Sequence, residues 1–370
     1  MYLETLRLVN FKNYKNIVFN FNEEINCLVG ENGVGKTNVL DAIYYLSLAK
    51  SSFNISDNQL IRHDETYFSI KGNFKKDGIS NHVKCQARLN NKKSISLNDK
   101  EYEKIRDHIG VFPVVLISPT DIDIIRGLSE NRRKFIDGVI SLLDKEYLEN
   151  LLKYNLALKQ RNSMLKAAEG FAFLDLDLID SFDQIIIQAG EKLHKARKKF
   201  IARFLPILTR LYEDISNQKE KINIIYRSDF DHNMDFRRLL KDTLAHDVIL
   251  KRTSKGIHRD DYILEIDDYP MKRYASQGQQ KSLIVSLKIA QFEIMREERG
   301  FKPILLMDDV FDKLDDLRIE KIMNLVAGHT FGQIFVTDAR PERTLSIFES
   351  IQSEKSIFHI HDGTVNLLTS

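Results

Sequence analysis

Apolar residues at the start of the chain fall at near-even spacing. Tyr2, Leu3, Leu6, Leu8 and Phe11, then Val18, Phe19 and Phe21, predict strands with one face turned inward. Ile25-Asn26-Cys27-Leu28-Val29 reads as a short buried strand running into a glycine-rich turn. A helix follows, with Val39, Leu40, Ala42, Ile43 and Leu46 on its apolar side. Residues 66–116 read as β-rich, with polar turns at Lys76-Asp77-Gly78 and Asn90-Asn91-Lys92.

Near residue 120 the period changes. Tyr147, Leu151, Tyr154, Leu158 and Leu165 fall at helical spacing, as do Phe182, Ile186, Ala189, Leu193, Ala196, Phe200, Phe204, Ile207 and Leu211. The second series steps by three and four, like a heptad. It fits two long helices folded back as a hairpin, and equally an ordinary amphipathic helical domain. Pro206 is expected to kink or end the second helix. From about residue 246 strands and helices mix again, with strand candidates at Ile263–Ile266, Ile304–Met307, Ile334–Val336 and Ile357–Ile360. The expected fold is α/β, divided as 1–118 (first half of a head domain), 119–245 (a mostly helical insertion) and 246–370 (second half of the head).

Composition narrows the class. The chain has 370 residues, 43% hydrophobic and 29% charged, which suits two or three folded domains. No apolar run approaches the roughly 18 residues of a membrane span, and no secretory signal is read at the start. Two cysteines, Cys27 and Cys85, cannot make a disulfide framework or a four-ligand zinc site. A cytoplasmic enzyme or binding machine with no membrane partner is expected. With 55 Lys and Arg against 53 Asp and Glu, any DNA-binding face must come from local segregation of charge.

Gly30-Glu31-Asn32-Gly33-Val34-Gly35-Lys36-Thr37 matches the G-x-x-x-x-G-K-[ST] phosphate loop between a strand and a helix. The glycines let backbone N–H groups turn inward toward phosphate oxygens, and the helix adds its positive end. Lys36 is expected to reach the β- and γ-phosphates of ATP, and Thr37 to bind Mg²⁺. Ile304–Met307 ends in Asp308 and Asp309, at the carboxyl end of a strand where α/β sheets bind ligands. Asp308 is the candidate Mg²⁺ ligand and Asp309 the group that orients or deprotonates the attacking water. The wide gap between the two motifs requires an inserted domain. Tyr274-Ala275-Ser276-Gln277-Gly278-Gln279-Gln280-Lys281 opens a helix; alone, Ser276 reads as its N-cap. Basic clusters at Arg132-Arg133-Lys134 and Lys195-Ala196-Arg197-Lys198-Lys199 are either DNA contacts or solvated helix faces. His258 and Arg259, beside Asp260 and Asp261, fit a structural ion-pair network as well as a site.

Ser276 to Gln279 resembles the S-x-G-Q signature of ABC-type ATPases, and Asp312 to Asp315 resembles their D-loop. Leu6 to Tyr14, Gly30 to Asn38, Ser118 to Asp121 and Arg126 to Asp137 are similar to the RecF family of bacterial repair ATPases, an SMC-like branch of the ABC class. So are Tyr154-Asn155, Lys159 to Asn162, Gly256 to Asp261, Tyr274 to Lys281 and Asp308 to Phe311. The resemblance implies a P-loop ABC/SMC-like head with a short helical arm and an ATP-dependent homodimer. In that dimer Ser276, Gly278, Gln279 and Asp315 face the partner's nucleotide, while Gly30 to Asn38 hold the chain's own. It further implies binding to single-strand gaps and duplex junctions, cooperation with RecO and RecR in loading recombinase, and roles in replication restart and SOS induction. Two departures from ABC transporters are present: Asp309 replaces a glutamate, and Thr337-Asp338 replaces a switch histidine. They imply slow, DNA-stimulated hydrolysis. The alternatives are a transporter's ATPase subunit or a non-hydrolysing nucleotide-sensing scaffold.

Overall fold

The structure, a computed structural model, describes residues 1–53, 55–216, 220–231, 235–310, 318–322, 331–340, 353–361 and 363–369. The chain divides into two compact units: 1–121, 214–216 and 281–370 form the first, and 122–213 and 217–280 the second.

The first unit begins with β1 (Tyr2–Phe11), β2 (Tyr14–Asn20) and β3 (Ile25–Val29), then α1 (Lys36–Leu48) and the short α2 (Asp57–Leu60). Next come β4 (Tyr67–Lys76), β5 (Ile79–Arg88), β6 (Ser94–Leu97), β7 (Lys100–Glu101) and β8 (Val114–Ile117). The β4–β5 connection is the expected Asp77-Gly78 turn, both residues at positive φ.

The second unit holds α3 (Asp123–Arg126), α4 (Ser129–Leu143), α5 (Lys145–Ala167), α6 (Leu176–Ser216, its last three residues counted with the first unit), β9 (Ile222–Arg227), α7 (Phe236–Leu250), β10 (Asp261–Ile266), β11 (Tyr269–Pro270) and α8 (Met271–Tyr274). The helix α9 (Gln277–Arg299) leads back to the first unit, which ends with β12 (Ile304–Met307), β13 (Ile334–Asp338), β14 (Lys355–His361) and β15 (Thr364–Thr369).

Two six-stranded sheets build the first unit. One is antiparallel, in the order β2-β1-β4-β5-β6-β7. The other runs β15-β14-β3-β13-β12-β8, parallel except at the β15 edge. Its inner strands β3, β12 and β13 are buried throughout, which is why they read as unbroken apolar runs. The helix α1 contacts strands of both sheets, and Val39, Leu40, Ile43 and Leu46 join one core with Leu6, Leu8, Leu28 and Phe335.

In the second unit α5 and α6 form an antiparallel hairpin. Arg161, late in α5, pairs with Asp183, early in α6, whereas Glu146, early in α5, pairs with Lys192 farther along α6. Ile186, Leu193, Phe204 and Leu211 of the expected apolar series are fully buried. Of the two outcomes expected at Pro206, a kink or an end, the end is corrected: α6 continues through it to Ser216. The missing N–H removes one hydrogen bond, and the buried side chains on either side hold the helical path.

The insertion also contains a sheet. The strand β10 pairs with β9 and β11, so the unit runs to Gln280, whereas the residue pattern placed the return to the head at 246. The run Ile222-Asn223-Ile224-Ile225 is short and lies within helical sequence, so its partner strand, not its pattern, decides its fate.

Buried charges lock this unit. Arg161, 0% exposed, donates to Asp183 at 2.6 Å and to Asp247 and Thr253 at 2.8 Å. Within Gly256 to Asp261, Asp260 and Asp261 pair with Arg197 and Arg132, while His258 is held by hydrogen bonds and Arg259 is exposed. His258 Nδ1 lies 2.7 Å from the Tyr154 hydroxyl and Nε2 lies 3.1 Å from the Thr253 carbonyl. The neutral ring with its proton on Nε2 satisfies both. Burial, aided by Arg259 and Arg133 and opposed by Thr253 and Asp229, pushes the His258 pKa down to about 4.

A histidine with a depressed native pKa leaves the unfolded chain to take up protons first. Stability is therefore whole above about pH 6.5 and falls as the pH drops toward 4, by about 3 kcal/mol from this residue. Urea titrations of the wild type and His258→Gln at pH 7.5, 5.5 and 4.5 check this. The wild type is expected to lose more stability across the series than the variant.

Candidate functional site

The strand β3 ends at Val29, and the chain turns at once through Gly30 to Gly35 into α1. Gly30 and Gly35 take φ of +147° and +113°. A Cβ on Gly30 would lie 2.4 Å from the Ile360 carbonyl oxygen, and one on Gly35 would lie 2.4 Å from Asn13 Nδ2. These glycines are required both by conformation and by room. No side chain caps α1, and its first turn holds no acid. Its leading N–H groups are thus presented to an anion without competition.

The loop is braced from the β1–β2 turn. Asn13 Nδ2 donates to the Val34 carbonyl at 2.9 Å and Asn38 Nδ2 donates to Asn13 Oδ1 at 2.7 Å. The Tyr14 hydroxyl donates to the Gly35 carbonyl at 3.1 Å, and Lys12 pairs with Asp41 of α1 at 2.7 Å. Asn13 and Tyr14 close the family-like stretch Leu6 to Tyr14, which attached no role to either. Asn13 lies in the two-residue turn Lys12-Asn13 and Tyr14 opens β2, and neither position has a reason of its own to point at a loop elsewhere.

Lys36 is 4% exposed, and its ammonium donates to the carbonyls of Gly30 and Glu31, each at 2.8 Å. Burial lowers its pKa, against the charges of Asp309, Asp308 and Asp338. Glu31, Asn32 and Gly33 form the exposed crest of the loop.

The acids arrive on neighbouring strands. In the order β14-β3-β13-β12, the carboxyl ends of β3, β13 and β12 lead into the loop, Thr337-Asp338 and Asp308-Asp309. Thr37 donates its hydroxyl to Asp308 Oδ1 at 2.8 Å, across 271 residues of sequence. Thr337 donates to the same oxygen at 2.8 Å and accepts the Asp309 N–H at 2.9 Å. Burial pushes the Asp308 carboxyl up, while Thr337, Thr37, Lys36 and Lys12 act against that rise. Asp309 adopts a left-handed backbone, φ +45°. A hydroxyl and a carboxylate sharing one hydrogen bond are hard oxygen donors of the kind Mg²⁺ takes alongside phosphate and water.

In the second unit Ser276 and Gln279 form a capping box. The Gln279 N–H donates to Ser276 Oγ at 3.2 Å, and the Ser276 N–H donates to Gln279 Oε1 at 2.6 Å. Gln279 Nε2 also donates to Glu220 at 2.6 Å. Ser276 is exposed and Gly278 half-buried. Asp315 lies outside the described residues.

The basic clusters divide. Arg197 is 1% exposed and donates to Asp137 at 2.9 Å and Asp260 at 2.7 Å, so it is corrected from DNA contact to core residue. Arg132 grips Asp261 with two nitrogens, and Arg133 donates to Ser129 and the Asp260 carbonyl. Both are committed within the unit. Lys195, Lys198 and Lys199 are exposed on α6, with Lys198 against Asp231.

A nucleotide loop fastened to a distant acidic strand, in a unit interrupted in sequence by a second, largely helical one, defines an SMC-like ABC ATPase head. The model of the RecF/RecN/SMC N terminal domain matches residues 2–365. The protein is 42% identical over 369 residues to DNA replication and repair protein RecF of Phocaeicola vulgatus, covering 99% of this chain and 98% of that one. It is also 42% identical to the protein of that name in Flavobacterium johnsoniae, covering 97% and 100%. The solved structure of the recombination mediator protein RecF-ATP in the RecFOR pathway matches with TM-score 0.87 and 32% identity, covering 99% of each chain. An Smc head domain from Pyrococcus furiosus shares the fold at TM-score 0.57 and 17% identity, covering 99% of this chain and 96% of that one. The chain belongs to the RecF family.

The loop geometry predicts unequal glycines. Gly30→Ala meets a carbonyl and a strained φ, and is expected to destabilise the first unit by about 2 kcal/mol or more. Gly33→Ala has open space and only its φ of +87° to resist it, about 1 kcal/mol. Thermal unfolding of the two variants reads the difference.

Proposed function

We propose that the protein is a DNA-binding ATPase of recombinational repair whose ATP binding controls dimerisation. The observation that carries this reading is the Thr37–Asp308–Thr337 junction beside Lys36, because it gathers a phosphate loop, a carboxylate and a lysine at adjoining strand ends. RecF relatives named for DNA replication and repair, and a RecF structure with ATP, support it.

In this reading the N–H groups of Gly33, Val34, Gly35 and Lys36 cradle phosphate oxygens, and Lys36 moves from its carbonyls to the β- and γ-phosphates. Thr37 and Asp308 would hold Mg²⁺, which supplies charge neutralisation between the phosphates when bound. Asp309 accepts a hydrogen bond from the attacking water. Its side chain is one methylene shorter than glutamate, which favours slow hydrolysis suited to a release timer.

Two copies associate face to face around two ATP molecules. Each lends Ser276, Gly278 and Gln279, with Asp315, to the other's nucleotide. Lys195, Lys198 and Lys199 offer phosphate contacts to DNA at single-strand gaps and duplex junctions. RecO- and RecR-type proteins are the partners in loading recombinase, with DNA binding stimulating the ATPase. Replication restart and SOS induction follow from that role, and the cytoplasm is its place. Full-length likeness to repair proteins disfavours the transporter reading.

Light scattering of the purified protein with and without Mg–ATP and gapped DNA tests this. The mass is expected to double with ATP, to stay monomeric in Lys36→Met, and to persist as an ATP-bound dimer in Asp309→Asn. An unchanged dimer in Lys36→Met contradicts the phosphate-loop assignment, and Asp309→Asn indistinguishable from the wild type favours the non-hydrolysing scaffold.

A further inference from the structure

Asp338 is the last residue of β13 and pairs with Val29, the residue immediately before the phosphate loop. It is 7% exposed. Its Oδ1 accepts the backbone N–H of Arg340 at 2.9 Å. Its Oδ2 is buried and meets no hydrogen-bond donor among the described residues. Its charge is felt by Lys36, together with those of Asp308 and Asp309.

A buried carboxylate oxygen without a donor is rare and unfavourable, so its position calls for a donor that arrives with the ligand. The chemistry at these strand ends narrows the choice. Phosphate oxygens and the carboxylates of Asp308 and Asp309 are acceptors. Lys36 is turned to the Gly30 and Glu31 carbonyls, and phosphate is its task under the reading above. Water is the remaining donor. An attacking water has two protons to place, and Asp309 accounts for one.

We propose that Asp338 Oδ2 accepts the second proton's hydrogen bond and so aims the attacking water at the γ-phosphorus. This rests on the ATPase reading and adds a residue to it. The water oxygen forms the new bond to the γ-phosphorus. The bond from that phosphorus to the β–γ bridging oxygen breaks, and its electron pair leaves on ADP. The proton facing Asp309 passes to that carboxylate and on to solvent. The proton facing Asp338 stays on the oxygen that becomes part of inorganic phosphate. Asp338 fixes direction and is not consumed.

The test is Asp338→Asn, with Asp338→Ala beside it, in the full chain. The asparagine keeps size and shape, and its carbonyl can still accept from Arg340, which turns an amide donor toward the water. Single-turnover ATP hydrolysis is expected to fall at least 30-fold in both variants. Affinity for a fluorescent ATP analogue is expected to stay within threefold of wild type, and the thermal midpoint within a few degrees. Wild-type hydrolysis in Asp338→Asn overturns the assignment and leaves the ATPase reading standing. Lost analogue binding or a large drop in the midpoint in both variants also overturns it, by showing a structural role. Failure of the wild type itself to bind the analogue removes the ATPase reading, and the assignment with it.

Discussion

A single carboxylate oxygen, Asp308 Oδ1, receives the hydroxyls of Thr37 and Thr337, each at 2.8 Å. Three strand ends are tied there, from parts of the chain that sequence separates widely. A buried carboxylate is unfavourable unless donors surround it, and here the donors are two threonine hydroxyls, one from the first turn of α1 and one from β13. The loop, the acidic strand and the next strand can be in register only together. The remaining features of the first unit serve that junction: fully buried parallel strands, a helix packed against both sheets, and the Asn13–Tyr14 brace.

The second unit uses the opposite strategy. Within its apolar core it buries two arginines, Arg161 and Arg197, each paired with two acids. Breaking such a pair leaves an unpaired buried charge, so the pairs tie α5, α6 and α7 together through Arg161, and α6, α4 and the segment before β10 through Arg197. The same pairing turns one residue of the most basic stretch of α6 inward. Arg197 faces inward at 1% exposure, while Lys195, Lys198 and Lys199 face out.

Much of this was legible in the residues. The phosphate loop has a fixed spacing because its backbone geometry permits no other, and Ile304–Met307 is apolar because it is buried on both faces. The apolar period predicted the helices but fitted a hairpin and an ordinary amphipathic domain equally; the Arg161–Asp183 and Glu146–Lys192 pairs decide for the hairpin. What period could not convey was pairing across distance. The strand β9 lies in helical sequence and becomes a strand because β10 is there to meet it. Pro206 suggested a kink or an end in α6, and the helix runs on through it. Arg197 and Lys198 are neighbours of one type in the sequence, and only the turn of α6 against Asp137 and Asp260 separates core from surface. Thr337 and Asp338 drew notice only as the absence of a histidine. Their part at the junction appears once β13 is set between β3 and β12.

The coupling across the junction is measurable by a double-mutant cycle on Mg–ATP affinity with Thr37→Val, Asp308→Asn and the pair. If Thr37 and Asp308 act as one unit, each single variant loses nearly as much affinity as the double, leaving a coupling of about 1 kcal/mol or more. Losses that simply add, with no coupling outside error, would contradict the account.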